Sequence, residues 1–373
     1  MDALATHRRV RIRPVRVLVR LACLISVALS ACSVPADPAW TPTAPPVPTS
    51  STGCGLQSLP QTWQEATAPS RLTPTRSVRL LAHDAATGRS LYAKEGSGVV
   101  LAEPGQTPRE VFAVSSPMVV WAAALDGDWM VFLTMNEVRG PIVLTAMHLG
   151  GRPVQLFPSG AYGQAVLPGV VLRDGVLYAA VIANVDEKIS TVVAVDLESG
   201  HVEPIPGTDQ VAYILGWGAM VLLVDPASDV GGRVRAIEPK TLHAVSVPPV
   251  LANLGDTSLT ASDGATVAWA ALQEASVMVV RQGWTAPRTY TLPGDRIEQL
   301  SVWGRYVVEA SAERFWILDV ETGQYAPVTT WWGDAKVSGG LLASSETASE
   351  KGGSAGLREL DLTSVPNLPG CTR

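Results

Sequence analysis

The chain has 373 residues, 47% of them apolar and 17% charged, with a formal net charge of −6. This excludes a disordered chain, which needs fewer apolar residues and more charge, and leaves ample length for two ordinary domains or one large all-β unit. Acids exceed bases and no basic, aromatic-laced patch occurs, so nucleic acid is not an expected partner.

In chain order, residues 1–20 carry six arginines (Arg8, Arg9, Arg11, Arg13, Arg16, Arg20) against one acid, Asp2, and the apolar run LACLISVALSA follows. That run is too short for a resident bilayer-spanning helix and has the length of a secretory h-region. It ends in Leu29-Ser30-Ala31-Cys32, which resembles the lipobox of bacterial lipoproteins. The resemblance implies that residues 1–31 are a removed signal peptide and that Cys32 is the lipidated first residue of the mature chain. The membrane is then a partner through this anchor, at the extracytoplasmic face (outer surface or periplasm). Removal of residues 1–31 takes Lys+Arg from 28 to 22 and Asp+Glu from 34 to 33, a net charge near −11. Residues 32–53, rich in Pro, Ser and Thr after Cys32, read as an extended tether.

The folded domain is expected over 54–373. Cys54 and Cys371 lie at its two ends, and in an oxidising compartment the simplest reading of such a pair is a disulfide. Neither has a second Cys or a His at ligand spacing, so no metal site is expected there.

From residue 78 onward, short runs rich in Val, Leu, Ile, Trp and Tyr alternate with Gly, Asp and Pro, the pattern of an all-β chain. One kind of tight turn recurs at Asp126-Gly127, Asp174-Gly175, Trp217-Gly218, Asp263-Gly264, Trp303-Gly304 and Gly339-Gly340, every 36 to 48 residues. A second kind, Asp196 to Gly200 and Asp319 to Gly323, falls between them; there Asp accepts from backbone N–H groups ahead of it and Gly takes the left-handed position. Two hairpins per period make four antiparallel strands, the repeat of a β-propeller blade. Ser262-Asp263-Gly264 comes nearest to the Ser-Pro-Asp-Gly turn of the TolB-like propellers of bacterial envelope proteins, which this region resembles. Seven blades are expected, with six the alternative. The fragment LLAHDAATGRSLYA, residues 80–93, is expected to be the outer hairpin of a first blade, and SLPQTWQEATAPSRLTPT its weak inner strands. In the six-bladed alternative the N-terminal hairpin completes the last blade.

Few residues carry chemistry. His83, His148, His201 and His243 fall in or beside turns of different blades, too dispersed for a metal cluster. Gly352 to Gly356 matches the nucleophile-elbow string GxSxG, but in a flexible loop with no His after it, so it is read as chance. Trp121, Trp217, Trp269, Trp303 and Trp316 are expected to pack between blades, while the adjacent Trp331 and Trp332 suit a stacking platform. Successive turns of a meander alternate faces, so the long, acidic middle loops share a face opposite the tight turns. Asp186, Glu187, Asp225 and Asp229 on that face, with Trp331 and Trp332, form the candidate binding surface, since divergent loops on a regular scaffold carry function. The expected function is a monomeric, non-catalytic scaffold for an envelope protein or small ligand, without a cofactor. The alternative is a propeller enzyme of hydrolase, lyase or lactonase type.

Overall fold

Each Asp-Gly, Trp-Gly and Gly-Gly turn of the first kind closes a hairpin in the computed structural model. It describes residues 49–70, 72, 78–94, 98–136, 142–157, 164–184, 189–209, 211, 213–225, 233–252, 254, 259–271, 275–294, 296–311, 314–330, 334–347 and 354–370. Four short elements come first: β1 (Thr49–Thr52), β2 (Cys54–Gly55), α1 (Gln61–Ala66) and β3 (Ala68–Pro69).

Seven meanders follow. Blade 1 is β4 (Val78–Asp84), β5 (Arg89–Lys94), β6 (Gly98–Ala102) and β7 (Arg109–Ala113); blade 2 is β8 (Met118–Asp126), β9 (Trp129–Asn136), β10 (Val143–His148) and β11 (Val154–Gln155). Blade 3 is β12 (Gln164–Arg173), β13 (Val176–Asn184), β14 (Ile189–Asp196) and β15 (Val202–Pro204); blade 4 is β16 (Tyr213–Trp217), β17 (Met220–Val224), β18 (Val234–Ile237) and β19 (Ala244–Val245). Blade 5 is β20 (Leu259–Ser262), β21 (Thr266–Ala270), β22 (Ser276–Arg281) and β23 (Arg288–Thr291); blade 6 is β24 (Ile297–Trp303), β25 (Tyr306–Ser311), β26 (Arg314–Asp319) and β27 (Gln324–Thr330). Blade 7 has β28 (Asp334–Ser338), β29 (Leu341–Thr347) and β30 (Ser354–Asp361).

The first strand of each blade packs on the first strand of the next, and β28 packs on β4, which closes a ring. This is a seven-bladed β-propeller. Seven separate apolar clusters fill the seven interfaces between blades. Each blade is therefore buried on both faces, so its strands read as nearly unbroken apolar runs rather than alternating ones. In β21 all five residues are buried. On β25, Tyr306, Val308 and Ala310 face blade 7 while Val307 faces blade 5.

The count of seven agrees with the sequence, but the assembly differs. The fragment 80–93 is the inner hairpin of blade 1, β4 and β5, and its outer half follows as β6 and β7. The five-residue turn misled because Asp84 behaves as the outer-turn Asp does: its carboxylate accepts from the Ala86 N–H at 2.9 Å and the Thr87 hydroxyl at 2.7 Å. The segment expected to give inner strands instead forms α1 and β3, and β3 pairs antiparallel with β30 as the outer strand of blade 7. Residues 56–69 offer too few consecutive apolar side chains for an inner position. The closing device of the six-bladed alternative, an N-terminal element completing the last blade, thus operates in a seven-bladed ring.

Residues 49–53, the end of the expected tether, also join the fold. β1 pairs parallel with β23, Thr49 opposite Arg288 through Thr52 opposite Thr291, and β2 pairs parallel with β27. Residues 49–69 therefore form a strap along the outer edges of blades 5, 6 and 7. Gly55 permits the approach to β27: a Cβ there would lie 2.6 Å from the Tyr325 ring. α1 anchors the strap through Trp63, which is fully buried between blades 6 and 7, edge-on to Tyr306 with ring centroids 5.6 Å apart. The Trp63 indole N–H donates to the Pro366 carbonyl at 2.7 Å.

Candidate functional site at the inner strands

A bulge interrupts the pairing of β4 between Leu80 and Ala82, and another that of β8 between Val120 and Ala122. A bulge leaves backbone groups outside the ladder, and here a cation from the preceding blade takes up the freed carbonyls. Lys336 of β28 donates from Nζ to the Leu81 carbonyl at 2.5 Å. Arg79 of β4 donates from Nη2 to the Val120 and Trp121 carbonyls at 2.5 and 3.1 Å. Blade 7 thus caps blade 1, and blade 1 caps blade 2.

Asp334, the first residue of β28, completes the cluster. Its Oδ1 is buried and accepts no hydrogen bond. Burial pushes its carboxyl above the usual range, against the pull of Arg79 and Lys336. Lys336 is enclosed by protein yet retains some exposed surface on the inner strand; burial, helped by the Arg79 charge and opposed by Asp334, brings its ammonium down to about 8. Burial also lowers the Arg79 guanidinium. Beside them Trp121, at the β8 bulge, is 47% exposed. It does not pack between blades as expected. These residues sit toward the starts of the inner strands, hence on the face of the middle loops and the links between blades.

The same seam carries further polar contacts. The Tyr92 hydroxyl donates to Glu359 at 2.6 Å, the His83 backbone N–H donates to the Ser338 hydroxyl at 3.0 Å, and the His83 ring nitrogen Nδ1 meets the Ser90 hydroxyl at 2.8 Å. Among the described residues, the apolar cluster there has five buried residues, against ten to thirteen at the other interfaces. Ring closure thus leans on hydrogen bonds where the other interfaces lean on apolar area.

A second buried ionisable group lies between blades 5 and 6. Glu309 of β25 is 1% exposed and neither carboxylate oxygen has a partner; burial alone pushes its carboxyl up to about 8. The Trp316 indole N–H, on the residue opposite it in β26, is likewise buried without a partner.

Of the expected binding face, Asp225 lies at the end of β17. There its carboxylate pairs with Arg235 at 2.5 Å, and Arg235 also donates to the Gly207 and Asp209 carbonyls. Asp225 is therefore neutralised and fastens the link between blades 3 and 4. Asp186, Glu187, Asp229, Trp331, Trp332, Cys32 and Cys371 lie outside the described residues, while Cys54 opens β2. Trp217 and Trp269 are buried between blades 4 and 5, and Trp303 packs between blades 6 and 7. Ser354 to Gly356, expected in a loop, begin β30. Among the described residues no group of three or more His, Cys, Asp or Glu is arranged to hold a metal ion. The sequence gives no site role to Arg79, Asp334 or Lys336, and Glu309, expected with the acidic middle loops, lies instead within β25. The available signal was a charge inside an apolar strand, as in VRLLA, DAKVS and VVEAS.

No protein-family model matches the chain, and no curated protein matches its sequence. Among solved structures it is similar to a prolyl endopeptidase at 14% identity and a TM-score of 0.51, over 77% of this chain and 47% of that one. This chain therefore spans less than half of that protein. It is also similar to a chain of a mitotic checkpoint complex (11% identity, TM-score 0.48, 79% of this chain and 96% of that one) and to the AfRom2 CNH domain (12%, 0.47, 79% and 99%). At 14% identity, the likeness to the prolyl endopeptidase establishes a shared propeller fold.

Proposed function

We propose that the protein is a lipid-anchored, extracytoplasmic β-propeller that binds a protein or small ligand of the cell envelope and has no chemistry of its own. The binding face is that of the middle loops and blade links. The observation that carries this reading is Trp121, 47% exposed on an inner strand whose backbone Arg79 fastens to the preceding blade. An exposed aromatic held on a rigid frame suits a binding hot spot. Asp186, Glu187 and Asp229 would frame it with negative charge, whereas Asp225 is committed to Arg235. The test replaces Trp121 by Ala, and separately reverses Asp186, Glu187 and Asp229, then repeats a pull-down from envelope extract. Loss of the same partners in both variants is expected; unchanged partners in both would overturn the binding face.

The competing enzyme reading has the Asp334–Lys336 cluster in its favour, since perturbed groups gather at catalytic sites. Lys336, however, is committed to the Leu81 carbonyl, which makes it a cap. The anchor rests on Leu29-Ser30-Ala31-Cys32. Cys32→Ser is expected to move the protein from the membrane to the soluble fraction and to abolish palmitate labelling. A Cys54–Cys371 disulfide belongs to the same reading; Cys54 opens β2 on the outer edge of blade 6, and Cys371 lies outside the described residues.

A further inference from the structure

Away from the inner strands, a cavity of about 350 Å³ opens between the strap and the outer parts of blades 6 and 7. Leu59 and Gln64 line it from the strap, Val328 from β27, Ser344 from β29, and Gly356 and Arg358 from β30. Its size falls at the lower end of small-molecule sites, and its lining is mixed: Leu59, Val328, Leu342 and Leu360 supply apolar surface, and Gln64, Thr67, Ser344 and Arg358 the polar groups.

The polar groups of Gln64, Ser344 and Arg358 are unspent. Arg358 is exposed and, among the described residues, has no ion pair and is the one titratable residue lining the cavity. Ser344 stands directly opposite it across the β29–β30 ladder, within reach of one ligand group. Gln64 donates its amide N–H to the Leu59 carbonyl, leaving its oxygen available. At Gly356 a Cβ would meet no atom within 4 Å, so the missing side chain leaves the cavity open. In a protein with excess acid, an exposed guanidinium on a recess that also presents Leu59 and Val328 selects for an anion that carries an apolar part.

We propose that this cavity binds a small organic monoanion, a medium-chain carboxylate in its simplest form. Its carboxylate is held by the Arg358 guanidinium with the Ser344 hydroxyl, and its apolar tail lies against Leu59 and Val328. A bound molecule touches both the strap and the blades it fastens, so occupancy tightens ring closure by mass action. The site stands apart from the Trp121 face, and the failure of one leaves the other intact.

Octanoate is the probe, titrated into the full folded domain by calorimetry beside octanol. Saturable binding of octanoate is expected, at least about tenfold tighter than octanol because a charge-assisted bidentate contact is lost in the alcohol. Arg358→Gln is expected to weaken octanoate about tenfold or more, and Gly356→Val to abolish binding by filling the recess. In hydrogen exchange, octanoate should protect the amides of residues 61–67 in the wild type alone. No saturable binding to the wild type, or equal binding to wild type and Arg358→Gln, would overturn the proposal. Should Gly356→Val fail to fold, the exposed Arg358→Gln position decides the question by itself.

Discussion

Glu309 makes stability depend on pH in a direction opposite to that of most carboxylates. Its folded value of about 8 lies above the ordinary 4.5, so the native state holds a proton that the unfolded chain releases. Stability is then greatest below the unfolded value, falls as pH rises through 4.5 toward 8, and levels off above. Glu309→Gln is expected to remove this slope, leaving the melting temperature nearly unchanged at pH 4 and raising it at pH 8, where the free energy of unfolding gains at most about 4 kcal/mol. An equal gain at both pH values would contradict the assignment. Asp319 is a buried acid of the other kind: fully enclosed, it accepts from Arg305 Nε at 2.7 Å and from the Glu321 N–H at 3.0 Å. Asp319→Ala is expected to cost about 3 kcal/mol in urea denaturation, by stranding Arg305 and opening the turn, and far more than Asp196→Ala at the exposed counterpart. The sequence revealed Asp319 and Asp196 alike because turn chemistry is local, running from an Asp to a Gly four residues on. It did not reveal that Asp319 is buried and Asp196 exposed, nor that Glu309 lacks a partner, because those facts belong to the neighbouring blade.

Among the elements, the strap was the least legible. β1, β2 and β3 span two to four residues each, and strands so short take their place from the edge they meet rather than from their own propensity. The inner and outer hairpins were confused for a related reason: both turns use Asp and Gly, and what separates them is the ring around them. α1 is expected to be the strap's fastening point. Six residues are too few for a helix to persist alone, so it depends on Trp63. Trp63→Ala should cost about 3–5 kcal/mol and expose the strap to limited proteolysis between residues 53 and 78, with blades 1 to 4 resistant. Cleavage at the wild-type rate would show that the strap is held by its strands instead.

For the molecule as a whole, the blade repeat and the count of seven were legible because regular spacing survives local wear, while the order of assembly was not. The proposed Cys54–Cys371 disulfide would close almost the entire folded body into one covalent loop, and the chain-entropy model gives such a loop about 5–6 kcal/mol as an upper figure. Cys54→Ser and Cys371→Ser are each expected to lower the melting temperature under oxidising conditions and to match the wild type under reducing ones; unchanged melting in both conditions would exclude the clasp. The strap also has a consequence for biogenesis. Ala68 pairs with Glu359, so residues synthesised early must wait for much later ones before they find their partner. Local contacts can form each blade as it emerges, but the closing contacts join residues far apart in sequence, and such contacts form slowly. Until then, blades 5 to 7 present bare outer edges and Trp63 is uncovered. A polypeptide released before blade 7 is complete thus displays the outer edges of blades 5 and 6 and the Trp63 ring, which the finished protein covers, and by these proteases and chaperones can distinguish the two.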